Sequence, residues 1–201
     1  MLVIEARKEK IDNAAYVHGS KNWKERKKHA AYTSASLTTN GKFSFRYGKI
    51  EIRAKLPNGK GTWPAIWTLG VDSEGRGALR RGEIDIVEFL GKNPYEISAA
   101  THFTVNGRYE YSTGKYLAEN IISGFHIYAI TWTPERIDFF FDNKRYHTFY
   151  VRLADEEGYN PFRLNHYLLL SLALGGSSGG KIDDSVLPQK ILIDYIRVFR
   201  R

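Results

Sequence analysis

The chain contains no cysteine, which excludes disulfides, thiolate metal sites and a cysteine nucleophile. No apolar run approaches the roughly 20 residues that a membrane-spanning helix needs. Met1–Lys10 has no apolar signal core, which leaves either a cytosolic protein or one whose signal has been removed. The six histidines include no H-E-x-x-H pair and no tight metal spacing, so each alone reads as structural. Zinc-finger spacing, an RNA-recognition signature and a recognition helix are also missing.

What is present fits one soluble domain spanning residues 1–201. A chain of this length buries about 70% of its unfolded surface, so it needs no staples. Aromatic residues make up 14%, with four Trp, thirteen Tyr and eleven Phe. A large core accounts for most of them, and flat rings also suit stacking on pyranose faces. The net charge of +8 favours acidic partners. Its densest run, Lys21–Lys28 with Trp23 among the charges, reads as a solvated loop in preference to a nucleic-acid arm.

Alternation dominates the chain. In Lys49–Leu56, Ile50, Ile52, Ala54 and Leu56 share one face while Lys49, Glu51, Arg53 and Lys55 share the other. Phe43, Phe45 and Tyr47 alternate just before it. Further strands are expected at Leu2–Lys8, Ala31–Thr39, Ile66–Leu69, Glu83–Phe89, Ile97–Thr104, His126–Thr133, Ile137–Asp142, Lys144–Val151, His166–Leu174 and Ile191–Phe199. Turn residues separate them, including Thr39-Asn40-Gly41, Asn106-Gly107 and Asp142-Asn143. Only Arg152–Gly158 hints at helix. Many short strands with close turns indicate an antiparallel sandwich or barrel.

Two motif matches fail on context. Gly175–Gly179 satisfies G-x-S-x-G, but a nucleophile elbow at Ser177 needs a following helix and a downstream His, and no His follows His166. Gly175–Lys181 resembles a phosphate-binding loop, yet Ile182 stands where Ser or Thr is required.

Chemistry concentrates in Gly82–Phe89, where Glu83, Asp85 and Glu88 are interspersed with Ile84, Ile86 and Val87. In a plain strand Glu88 would point into the core, opposite Glu83 and Asp85. Burying an unpaired carboxylate is costly. A β-bulge near Ile86–Val87 would return Glu88 to the face of the other two. A row of like charges pushes pKa values apart. Separated pKa values suit glycoside hydrolysis, in which one carboxylate attacks the anomeric carbon and another delivers a proton to the leaving oxygen. An exposed acidic strand edge and a calcium-binding acidic loop are the alternatives that the residues alone leave open.

Gly82–Glu88 resembles the bulged signature of glycoside hydrolase family 16, in its laminarinase-type form. Tyr47–Pro57, Gly61–Trp67, Tyr128–Asp142, Asp183–Gln189 and Ile193–Val198 also match that family in order, so the resemblance covers essentially the whole chain. It implies an all-β, concanavalin A-like jelly roll of two antiparallel sheets. It further implies a retaining endo-β-1,3-glucanase or mixed β-1,3-1,4-glucanase, with Glu83 as nucleophile, Glu88 as acid/base and Asp85 tuning charge between them. Glu51 and Arg53 match positions lining the glycone side of the cleft. Trp63 and Trp67 match cleft aromatics, although core packing explains Trp67 as well. His102 matches a polar position beside the acid/base, and a hydrogen-bonded structural His is the alternative.

Departures from the family pattern matter. Ser171 stands where Asn is common and Ser178 where Trp is common, which implies a more open cleft or a different backbone substrate. Leu2–Lys8 resembles a strand that is normally internal, so the usual N-terminal strand is expected to be missing. Asp194 shares a strand face with Leu192, Ile196 and Val198 and is expected to be partly buried, and the resemblance implies a structural Ca²⁺ there. No cofactor is expected for catalysis. The expected partner is a polysaccharide, with neither nucleic acid nor membrane, and the expected form is a secreted or periplasmic monomer. Two other readings stand: the same mechanism on a sulfated galactan such as carrageenan, agar or porphyran, and a non-catalytic carbohydrate-binding module.

Overall fold

The computed structural model describes residues 1–71 and 80–200. Its strands in chain order begin with β1 (Leu2–Asp12), β2 (His29–Thr33), β3 (Ser36–Thr38), β4 (Gly48–Lys55), β5 (Thr62–Gly70) and β6 (Glu83–Phe89). They continue with β7 (Glu96–Val105), β8 (Arg108–Leu117), β9 (His126–Trp132), β10 (Arg136–Phe141), β11 (Lys144–Tyr150), β12 (His166–Leu174) and β13 (Gln189–Phe199). One sheet has the order β11-β10-β9-β4-β13-β1-β2, and the other β3-β12-β5-β6-β7-β8. Every pairing described is antiparallel. The architecture is the jelly-roll sandwich that the family resemblance implies.

Period-two alternation builds the core between the sheets. On β4, Ile50, Ile52 and Ala54 are buried, while Lys49, Glu51 and Arg53 lie on the opposite face. Ile66, Ile84, Phe89, Ile97 and Leu172 meet them from the second sheet in one continuous apolar cluster. At about 25 cal/mol per Å² of apolar area, this burial is the main stabilising term. His166 is wholly buried, with Nδ1 3.0 Å from Thr68 Oγ1 and Nε2 3.1 Å from Pro161 O. Burial pushes its pKa down to about 4, so it is a neutral structural histidine, as its lone position in the sequence implied.

Several sequence expectations change. Ala31–Thr39 divides into β2 and β3, which join different sheets. Phe43–Tyr47 forms no strand; only Phe45 bridges, to His166. The Arg152–Gly158 helix hint reduces to a 3-10 turn at Val151–Ala154. Strand β8 was not anticipated. Its signal was the Asn106-Gly107 turn: both residues have positive φ, and Val105 pairs with Arg108 across a two-residue hairpin loop.

Candidate active site

The floor of the site is β6, and its local structure decides the chemistry. Asp85 pairs with Ala100 on β7 and Glu88 with Ser98, so three steps on β6 oppose two on β7. The extra residue is the bulge expected near Ile86–Val87. Ile86 and Val87 both point into the core, and Glu88 returns to the face of Glu83 and Asp85. The three acids share a cleft of about 220 Å³ with Trp63, Ala65, Trp67, Ser171 and Ala173. Strands β5 and β12 supply these neighbours in register: Trp67 lies opposite Asp85, Ala65 opposite Glu88, and Ser171 opposite Ala65.

Contacts within the row separate the acids. Trp63 Nε1 donates to Glu88 Oε1 at 3.1 Å. His102 lies across from Glu83 on β7, and its Nε2 comes within 3.1 Å of Asp85 Oδ2. That approach is oblique, and no well-aligned donor reaches the buried Oδ2, so the pair is electrostatic more than a linear hydrogen bond. His102 Nδ1 is 2.6 Å from Tyr109 Oη. Glu83, Asp85 and His102 place ligand atoms within 4.8 Å of one another, the one such cluster among the described residues.

Burial, reinforced by the Asp85 charge, pushes the Glu83 pKa up to about 8. Burial and then Asp85 also raise Glu88, opposed by the Trp63 N–H and by His102. Contact with the Asp85 carboxylate raises His102. Glu83 therefore holds its proton at a pH where ordinary carboxylates are ionised, and Glu88 is shifted in the same direction. A raised Glu88 suits proton delivery to a leaving oxygen, whereas a raised Glu83 must give up its proton before it can attack as a carboxylate.

The structure assembles Glu83, Asp85, Glu88, Trp63, Trp67 and Ser171 at one cleft and sets His102 against Asp85. It does not bring Glu51 or Arg53 there. Both lie on β4, between β9 and β13 of the other sheet, and face outward. Lys49 Nζ meets Glu51 Oε1 at 2.5 Å, and Arg53 Nη1 donates to Asp194 Oδ2 at 2.7 Å. The strand has the polar face that alternation predicts, but that face belongs to the sheet opposite the cleft.

Asp194 is likewise corrected. The pairing of β13 with β4 slips between Ile193 and Tyr195, so Asp194 faces outward with Leu192 and apart from Ile196 and Val198, which pack against the core. It is exposed and paired with Arg53, whose guanidinium also stacks on Phe125 at 4.7 Å. Asp194 is therefore not a buried carboxylate in need of a cation, and Arg53 meets its charge at the surface.

Sequence reasoning missed the aromatic extension of the site on β8. Tyr109 and Tyr111 flank His102 with ring centroids at 5.9 and 6.1 Å, and both rings are exposed. Their alternation in Arg108–Leu117 was the available signal. A short turn at Gly176–Gly179 packs beside β5, where an added Cβ on Gly179 would lie 3.6 Å from Trp63 Cβ.

The family model for glycosyl hydrolases family 16 matches residues 6–197. A β-glucanase of Rhodothermus marinus is 40% identical over 183 residues, covering 84% of this chain and 63% of the relative. This chain thus spans less than two thirds of that relative's length. The laminarinase catalytic domain of Thermotoga maritima MSB8 superposes with a TM-score of 0.81 at 36% identity, over 99% of this chain and 77% of that one. Another similar structure comes from work on endo-acting O-glycanases, which prominent members of the human gut microbiota express to initiate mucin breakdown. It has a TM-score of 0.90 at 34% identity, over 98% of this chain and 72% of that one. With the bulged acid row in place on a two-sheet jelly roll, the chain belongs to glycosyl hydrolases family 16.

Proposed function

We propose that the protein is a retaining endo-β-glucanase acting on β-1,3- or mixed β-1,3-1,4-glucan. The observation that carries this reading is the β6 bulge, which turns Glu83, Asp85 and Glu88 into one cleft in a family 16 chain. Glu83 attacks the anomeric carbon and forms the glycosyl-enzyme bond. Glu88 first protonates the leaving oxygen and then, as a carboxylate, removes a proton from the water that resolves the intermediate. Asp85 exchanges a proton with Glu83, so that Glu83 is ionised when it attacks. Trp63 orients Glu88, and His102 holds Asp85. The β-glucanase and laminarinase relatives support a glucan as substrate.

Action on a polymer supports a secreted or periplasmic location. No cofactor enters the mechanism.

A second reading keeps the mechanism and changes the substrate to an anionic β-galactan or mucin-type glycan. It is favoured by the similarity to the O-glycanase structure, by serine at 171 and 178, and by the net charge of +8. Reducing-sugar release with product sizing on laminarin, mixed-linkage glucan, a sulfated galactan and mucin glycans separates the two, with Glu83→Gln as the blank. Release from glucans alone supports the first reading, and release from the anionic glycans alone supports the second. Release from none of them in the folded protein would leave only carbohydrate binding.

A further inference from the structure

The connection between β1 and β2 carries a charge pattern that the cleft does not use. Between residues 21 and 28 lie Lys21, Lys24, Arg26, Lys27 and Lys28, and all are exposed. Among the described residues, none of the five enters an ion pair. Glu25 is the one acid of the segment, and neutral donors occupy it: Ser20 Oγ at 2.8 Å and Asn22 Nδ2 at 2.7 Å. The cations thus make no ion pair with it, and they outnumber it five to one.

This loop is ordered. Asn13 Nδ2 donates to the carbonyls of Lys24 at 2.7 Å and Lys27 at 2.9 Å, and Asn13 N donates to Lys28 O at 2.9 Å. Backbone hydrogen bonds thus hold like charges together that would otherwise spread apart. Amid them stands Trp23, 71% exposed, with Lys24 Nζ 5.5 Å from the ring centroid. A groove of about 460 Å³ begins one residue beyond Lys28, lined by Lys8, Glu9, Lys10, His29, Ala30 and Ala31.

An ordered patch of unpaired cations lacks only an anion, and an exposed indole lacks only a flat apolar face. A polysaccharide bearing sulfate or carboxylate groups supplies both, because each pyranose ring presents a C–H face beside its charged substituents. We propose that the β1–β2 loop is a docking site for anionic polysaccharide, separate from the cleft. In it the five cations hold the acidic groups and Trp23 stacks on a sugar ring. Binding there is independent of which linkage the cleft cuts.

The test uses the full chain carrying Glu83→Gln, so that cleavage cannot consume the ligand. Affinity for dextran sulfate, laminarin and duplex DNA is measured across a salt series. Dextran sulfate is expected to bind, more weakly as salt rises, and laminarin not to depend on the loop. Changing Lys21, Lys24, Lys27 and Lys28 together to Ser is expected to weaken dextran sulfate binding roughly tenfold, each exposed charge contact being worth about a factor of two. Trp23→Ala is expected to weaken the binding that survives at high salt, where charges are screened. A control changes Lys42, Lys92, Lys144 and Arg152 to Ser, removing equal charge from scattered exposed positions. Equal losses in the control would reduce the effect to net charge and overturn the proposal. Tighter binding to DNA than to dextran sulfate at equal anion concentration would overturn it in favour of nucleic acid. Should the fourfold variant fail to fold, Trp23→Ala and Lys24→Ser carry the same test singly.

Discussion

Trp63 Nε1 donates to Glu88 Oε1 at 3.1 Å, joining the aromatic wall of the cleft to one of its acids. The bond favours the ionised form of Glu88 and partly offsets the rise that burial causes. Trp63→Phe keeps an aromatic ring and removes the donor. The alkaline limb of the kcat/KM profile, assigned to loss of the Glu88 proton, is expected to move to higher pH. An unmoved limb would show that Glu88 is not the group titrating there.

The roles of the two glutamates separate by leaving group. Glu88→Gln is expected to lower kcat/KM about 10²- to 10⁴-fold on polysaccharide and far less on aryl glycosides, whose leaving groups need no proton. Glu83→Gln is expected to abolish turnover on both. Proton NMR of fresh product should show the β anomer first. An α product would mean inversion and a different pairing of carboxylates.

Glu83 also makes stability depend on pH. Its folded pKa of about 8 lies above the ordinary value of 4.5, so the native state holds a proton that the unfolded chain has released. This contribution is fully present below about pH 4.5 and is lost as pH rises towards 8. Since Glu83 is partly exposed, solvent tempers the size of the effect but not its direction. The melting temperature should fall between pH 5 and 8 in the wild type and fall less in Glu83→Gln. Parallel curves would remove Glu83 as the source.

Gly82 sets the entry to the catalytic strand. Its φ is +72°, and an added Cβ would lie 2.6 Å from Pro161 Cβ. Gly82→Ala combines left-handed strain with overpacking, at about 2–4 kcal/mol in urea unfolding. It should also lower kcat, because Glu83 is the next residue. Full activity together with wild-type stability would contradict this placement.

The Arg53–Asp194 pair predicts indifference to calcium. Asp194→Asn should change stability by less than about 1 kcal/mol, as for exposed ion pairs generally. Chelator should leave the melting temperature unmoved in both proteins. A drop in wild type that Asp194→Asn abolishes would restore a metal at that position.

The sequence was most informative where a rule is local. Alternation locates most strands, turn residues separate them, and the cost of burying Glu88 calls for the bulge on β6. The rows of residues near Trp63 and Glu83 were legible because each lies on one strand. The Asn106-Gly107 turn equally marked β8, and with it Tyr109 and Tyr111, but a strand so polar on its outer face gives a weak apolar signal.

Only the tertiary structure decided which polar faces meet. Period two says that Glu51 and Arg53 share a face; it does not say whether that face looks into a cleft or onto the outer surface. Pairing of β4 with β9 and β13, far apart in the chain, put them outside. A one-residue slip on β13 put Asp194 on a different face from Ile196 and Val198, and no local pattern announces such a slip. Side-chain period is a property of a single strand, whereas sheet membership and register are set by partners tens of residues away.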